Sequence, residues 1–358
     1  MRDVQRFRRL NIVELVEFTE SLAMLLNSGI PVQDALKINC DLMHRPILSS
    51  VTRELISGIR KGKSLSSSMA RAGNAFEPSY IGVVRVGEEV GSLSHLFDLY
   101  GKHLGRTKMI SEKITSASIY PVLVLTMVFA GLIAFALFFL PELLNLFENL
   151  DPEQANSLRT SVWNTLTASA VAITSVLLIF FTHRIYLLVR GKSLDASFFI
   201  RFWEKLLFSI PFLRKLLIDV ELFNLYFVVF SQVENGISIE KAIEAAMPSI
   251  NVERLRKDLG IVVSKLRKGD QLSIALESTG RMFPLKMINW IRIGEKIGEP
   301  AKVFRQLYHF QESHLDIVYS RLLSLLEPVL TIGVGAILVA IILNFIVPFF
   351  SLLTGIIQ

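Results

Sequence analysis

One eight-residue stretch is written twice in this chain: residues 85–92 read RVGEEVGS and residues 292–299 read RIGEKIGE, 207 positions apart. The same offset pairs Glu14 with Glu221, Gly29 with Gly236, Ile30 with Ile237, Ala35 with Ala242, Lys61 and Gly62 with Lys268 and Gly269, Phe76 with Phe283, and Pro121 with Pro328, all without a gap. This is a tandem duplication. Its period is far beyond the roughly 20–50 residues of solenoid repeats, so each copy is expected to be a folding unit of its own.

The 358 residues are 51% hydrophobic, with a mean hydropathy of +0.48, and the excess is concentrated. Residues 119–140, 162–182 and 328–358 contain no Asp, Glu, Lys or Arg. Each block reaches the ~20 residues that an α-helix needs to cross the hydrocarbon layer. The middle block is the least apolar, with Asn164, Thr165, Thr167, Ser169, Thr174 and Ser175, but helical hydroxyls can bond back to their own carbonyls. Three spans place both copies on one side of the membrane; two would place them on opposite sides.

Charge gives the orientation. Residues 1–118 balance to +4, residues 141–161 to −3 and residues 183–327 to +5. Arg106, Lys108 and Lys113 precede the first block, and Arg184, Arg190 and Lys192 follow the second. Basic residues near span ends stay cytoplasmic. The expected domains are a cytoplasmic bundle at 1–118, spans at 119–140 and 162–182 around a short periplasmic loop at 141–161, a cytoplasmic connector and second bundle at 183–327, and a third span at 328–350 with a short periplasmic tail. The first residues are basic but lead into a segment broken by Glu14, Glu17 and Glu20, so no cleavable signal peptide is expected and the first span serves as insertion signal. The single cysteine, Cys40, allows no intramolecular disulfide. The pI near 9.4 reflects charge spread through both copies and membrane orientation, and nucleic acid is not an expected partner.

Within each copy, apolar residues recur at helical spacing and no alternating, turn-bounded runs suggest strands. The helix at 11–26 ends at Gly29, Pro31 opens the next, and Gly236 with Ser238 does the same work in the second copy. In the duplicated stretch, Gly91 and Gly298 are expected to end helices in the left-handed conformation, with Ser92 and Pro300 starting the following ones. Gly87 and Gly294 lie inside those helices at a cost of ~1 kcal/mol each relative to alanine, which suggests close packing of another backbone. Glu88 and Glu295 follow Arg85 and Arg292 by three residues on one helical face. The plain expectation is a structural ion pair beside a tight helix junction; the functional alternative is a partner or subunit surface. Each copy is expected to end in a long helix that continues into the membrane, past Pro121 in the first and Pro328 in the second. Residues 196–220 read either as a helix in the headgroup region or as a buried connector.

Motifs for chemistry are weak. Gly58 and Gly62 before Lys63 enclose three residues, where a phosphate-binding loop needs four. His309 and His314 are five residues apart, about 140° around a helix, and cannot easily share a metal. No ionisable residue interrupts the spans, unlike the usual transporter. Catalytic, metal and cofactor sites are therefore expected to be absent.

Several of these landmarks together resemble a known family, the inner-membrane platform proteins of type II secretion and type IV pilus assembly (the general secretion F and PilC group). The run Leu25 to Pro31, Gly87-Glu88 with Gly91, and Tyr120-Pro121 with Lys113 upstream and Pro141 downstream carry the resemblance. Glu327 in place of Tyr120, and Leu213 where many members have glycine, depart from it. Members often carry an extra N-terminal segment, which this chain is expected to lack. The resemblance implies an all-α integral membrane protein with two duplicated cytoplasmic bundles of about six helices each and three transmembrane helices. It implies a non-enzymatic platform that binds a cytoplasmic hexameric secretion ATPase, pilin or pseudopilin subunits, other inner-membrane assembly proteins and membrane lipid, as a homo-oligomer. A transporter or channel subunit with cytoplasmic gating domains is the alternative. Candidate structural or partner-facing positions are Gly29, Pro31, Arg85, Gly87, Glu88, Gly91, Tyr120, Pro121, Gly236, Arg292, Gly294, Glu295, Gly298 and Pro328.

Overall fold

The computed structural model describes residues 7–43, 45–117, 119–142, 145, 156, 159–160, 162–171, 173–175, 211–280 and 282–356. They fall into two compact units: Met1–Ser111 with Val189–Val318, and Glu112–Leu188 with Tyr319–Gln358.

In the first unit the first copy supplies α1 (Ile12–Asn27), α2 (Val32–Leu42), α3 (Pro46–Arg60), α4 (Leu65–Arg71), α5 (Pro78–Val90) and α6, which starts at Leu93 and runs to Ala117. After α7 (Ile119–Ala134) of the second unit, the second copy repeats the series. It has α8 (Pro211–Val233), α9 (Ile239–Ala246), α10 (Glu253–Leu266), α11 (Leu272–Glu277), α12 (Leu285–Ile297) and α13 (Pro300–Ile356), with a 3-10 turn at Met247–Ser249. The starts of α2 to α6 recur 207 residues later at α9 to α13. No strand occurs among the described residues.

Local chemistry sets these boundaries. Asn11 caps α1 reciprocally: its Oδ1 accepts the Glu14 N–H and the Glu14 carboxylate accepts the Asn11 N–H, each at 2.8 Å. The chain leaves α1 and α8 through Gly29 (φ 79°) and Gly236 (φ 84°). There Ile30 and Ile237 donate back to the carbonyls of Leu25 and Gln232 at 3.2 and 3.1 Å. Pro31 occupies the position just before α2 rather than its first turn, and its carbonyl accepts the Ala35 N–H at 2.9 Å. Ser238 holds the matching place before α9, without a side-chain bond.

Each bundle closes on its own core. Phe18, Leu22, Leu36, Leu48, Leu55, Leu65, Met69 and Tyr80 are fully buried in the first; Leu222, Tyr226, Phe230, Leu255, Leu259 and Ala275 are in the second. Each large apolar side chain so buried contributes about 1.5–3 kcal/mol. One buried polar contact is exchanged between copies. Thr19 Oγ1 lies 2.9 Å from Tyr80 Oη, whereas at the matching positions the Tyr226 hydroxyl donates to Met287 Sδ at 2.8 Å. The tyrosine has moved to the opposite helix.

In the second unit, Leu132, Leu140, Val162, Leu166 and Ile173 form a buried cluster with Phe129, Phe135, Ile337 and Ile341 packed against it. A π-helical turn at Phe135–Phe139 precedes Pro141, whose ring crowds the carbonyl one turn back and removes a donor.

Among the described residues, three helical runs are long and apolar enough to cross a membrane. The most apolar window is 6% buried in Leu93–Glu142 and 0% buried in Pro300–Leu343, but 67% buried in Arg214–Val233. Uncovered apolar surface of that extent fits lipid, whereas the last run is the core helix α8. Residues 211–220 thus belong to a bundle helix, and residues 196–210 lie outside the described residues. Of the expected second span, 162–171 and 173–175 are helical and 176–182 lie outside the described residues, as does most of the 141–161 loop. Helix α13 runs for 57 residues, about 85 Å at 1.5 Å per residue, and continues through Pro328 without ending there.

Candidate functional site

The duplicated stretch builds the same junction twice. Helix α5 ends at Gly91 (φ 73°) and α12 at Gly298 (φ 78°), both left-handed. The next residues, Ser92 and Glu299, donate to the carbonyls of Gly87 and Gly294 at 2.9 and 3.1 Å. The chain then reverses so tightly that a Cβ on Gly87 would sit 3.2 Å from Leu93 Cα, and one on Gly294 would sit 2.5 Å from Val303 Cγ2. Close approach of the following helix is why glycine stands there.

The glutamates serve a neighbouring helix. Glu88 accepts from the Leu65 N–H through one oxygen; through the other it accepts from the Ser66 N–H at 3.1 Å and the Ser66 hydroxyl at 2.5 Å. Glu295 repeats this with the Leu272 N–H at 2.5 Å, the Ser273 N–H at 3.3 Å and the Ser273 hydroxyl at 2.6 Å. Each carboxylate therefore satisfies the free N–H groups at the start of α4 or α11, where negative charge is favoured. The expected pairing within the helix is corrected accordingly: the first-turn donors of α4 and α11 take up the carboxylates of Glu88 and Glu295, while Arg292 bonds Glu277 and, at 3.2 Å, Asn289 Oδ1. Ser92 was expected to cap α6; its hydroxyl instead bonds Asn235 Oδ1 of the other copy at 3.0 Å.

That last contact belongs to a joint between copies that the sequence did not suggest. The His103 ring on α6 is stacked on Phe227 of α8, centroids 4.0 Å apart and planes 9° off parallel, with Tyr100, Phe223 and Tyr308 around it. Its Nδ1 is 3.3 Å from Tyr308 Oη. Burial pushes the imidazole down to about 3, so it stays neutral at physiological pH, against a smaller opposing hydrogen bond to Asn224. One turn on, Arg106 pairs with Glu312 at 2.9 Å and with Asp316, at the half-covered edge of the joint. The signal lay in the departures from the repeat: His103, Phe227 and Tyr308 match Phe310, Glu20 and Gly101 of the other copy.

Pro121 lies within the helical run Leu93–Glu142, and Tyr120 beside it is exposed. Pro328 lies inside α13. The two histidines considered for a metal turn to different carboxylates, His309 to Glu312 at 3.3 Å and His314 to Asp219 at 3.4 Å. Among the described residues no group of three or more His, Cys, Asp or Glu could hold a metal ion.

A duplicated all-helical bundle running into uncovered apolar helices defines a class of membrane scaffold, and comparison with known proteins identifies it. The family model described as "Type II secretion system (T2SS), protein F" matches residues 18–141 and again 228–348, and the chain belongs to that family. It is 25% identical over 96% of its length to the type II secretion system protein F of Pseudomonas aeruginosa, covering 84% of that protein. With the protein F of Xanthomonas campestris pv. campestris it shares 24% over 99% of its length and 87% of the relative. With the type IV pilus assembly protein PilC of Myxococcus xanthus it shares 20% over 95% of its length and 80% of the relative. The chain is thus an all-α integral membrane protein of a family whose members are non-enzymatic platform proteins of secretion and pilus-assembly machinery.

Proposed function

We propose that this protein is the inner-membrane platform of a type II secretion or type IV pilus-like machine, with both bundles in the cytoplasm. There they engage a hexameric ATPase and pass its motion through α6 and α13 to pilin or pseudopilin subunits in the membrane. The observation that carries the reading is the duplicated bundle with each copy feeding an uncharged apolar helix, in a chain that aligns over nearly its whole length with relatives of both systems. The joint around His103 supports a common side for the two copies. Contacts that bury aromatic rings of both copies favour a shared compartment, and with it an even number of crossings between them. That favours a crossing by residues 162–182, and the basic residues flanking the spans favour the cytoplasm. In this reading the glycine–glutamate junctions hold each bundle in shape, and other surfaces meet the motor.

Quantitative crosslinking and capture from native membranes tests it. Recovery of a hexameric ATPase with pilin-like subunits is the expected result. Robust recovery of the protein without either would overturn the platform reading.

A further inference from the structure

Within one chain the two copies pack head to tail. The outer face of α5 lies on α8, α9 and the 3-10 turn: the Ser79 N–H donates to Ser249 Oγ at 3.0 Å, and a Cβ on Gly82 would sit 3.8 Å from Ala245 Cβ. A contact of this kind uses one face of each copy and leaves the matching face of the other copy unused. By the 207-residue offset, the partner of the α5 face is α12, and the partner of the α8–α9 face is formed by α1 and α2.

Both of these faces are open and apolar. Val86 on α5 is 6% exposed, but its counterpart Ile293 is 53% exposed and Leu285 on the same helix 73%. On α1 and α2, Ile38 and Leu42 stand where the engaged copy has Ala245 and Ser249, and Leu42 is 58% exposed. Their charges are opposite in sign. Helix α12 carries Lys286, Lys296 and Arg292, the last paired with Glu277, and its one glutamate is turned onto α11; α1 and α2 carry Glu20 and Asp41, besides Glu17 paired with Arg45 and Asp34 paired with Lys37. Apolar patches rimmed by complementary charge mark association surfaces.

We infer that α12 of one protomer docks on α1 and α2 of a second copy of this chain, repeating between molecules the packing that the two copies already make within one. The inference goes beyond the platform reading and does not depend on it. A head-to-tail contact builds a closed ring or an open array, not a twofold dimer.

Asn289 and Ile38 match Gly82 and Ala245, whose Cβ separation of 3.8 Å suits a disulfide. Two differently tagged chains in a Cys40→Ser background, one with Ile38→Cys and one with Asn289→Cys, are co-expressed and oxidised in native membranes with copper phenanthroline. Expected is a disulfide-linked species carrying both tags, with none from either variant alone. A single chain with Gly82→Cys and Ala245→Cys, closing internally, reports that oxidation works. Closure of that control without a mixed-tag species would overturn the inference. So would crosslinking by Ile38→Cys alone, which would mean that like faces meet. Neither outcome bears on capture of an ATPase, so the two readings fail separately.

Discussion

Helices α5 and α12 have the same length, the same left-handed glycine end and the same glutamate bound to a neighbouring helix, yet α5 is covered by the other copy and α12 is open. The difference separates two kinds of constraint. Contacts that close a bundle on itself are alike in both copies, because each copy needs the same reversal and the same capped helix. Contacts between copies are unlike: by the 207-residue offset Gly82 aligns with Asn289, His103 with Phe310 and Phe227 with Glu20. A duplicated unit packed head to tail has two roles to fill, and its two copies diverged where the roles differ.

The sharpest way to break the shared part is to fill the reversals. Gly87→Val and Gly294→Val would each drive side-chain atoms into the following helix, at Leu93 and Val303. Both should destabilise the protein by about 3 kcal/mol, the upper range for overpacking. Thermal unfolding in detergent would show a similar loss in both variants; a loss in one alone would mean that the junctions are not equivalent.

Next in size are the glutamates. Glu88→Gln and Glu295→Gln keep the shape but remove the charge that holds the N–H groups of α4 and α11, and each should cost about 2 kcal/mol. Hydrogen exchange should rise at Leu65 and Ser66 in the first variant and at Leu272 and Ser273 in the second. Unchanged protection at those amides would contradict the assignment.

The joint offers a pH test confined to the interface. His103 is held near 3 in the fold and returns to about 6.5 when unfolded, so the unfolded chain binds the extra proton between those values. Its contribution is fully present above about 6.5 and is lost as pH falls, by about 1.4 kcal/mol per unit. His103→Phe, which copies the residue at the matching Phe310, should flatten the fall between pH 6.5 and 5 without changing the fold. An equally steep fall in that variant would place the titrating group elsewhere.

The smallest effect belongs to the arginines of the duplicated stretch. Arg292→Ala removes a half-exposed pair with Glu277 and should change stability by no more than about 0.5 kcal/mol, far less than loss of the glutamate three residues on. A larger loss would restore a role for the arginine at the junction.

Much of this was legible in the sequence. The offset between residues 85–92 and 292–299 gave the duplication, and Gly29, Gly91, Gly236 and Gly298 marked helix ends because left-handed backbone favours glycine. The crowding at Gly87 and Gly294 followed from the cost of glycine inside a helix. The glutamates were misread because their partners, Ser66 and Ser273, lie 22 residues upstream in another helix, and periodicity reports only neighbours on the same helix. The joint was missed for the opposite reason. A search for matches passes over His103, Phe227 and Tyr308, which are informative because they fail to match. Apolarity alone would also count α8 as a span; only its burial assigns it to the bundle.

The account depends most directly on the two bundles sharing the cytoplasm, and cysteine labelling reads that in intact cells. In a Cys40→Ser background, an impermeant maleimide should label a cysteine at Ser157, in the proposed periplasmic segment, and should spare cysteines at Ser50 in the first bundle and at Ser264 in the second. Labelling of Ser50→Cys and Ser264→Cys on opposite sides of the membrane, or of both from outside, would contradict it.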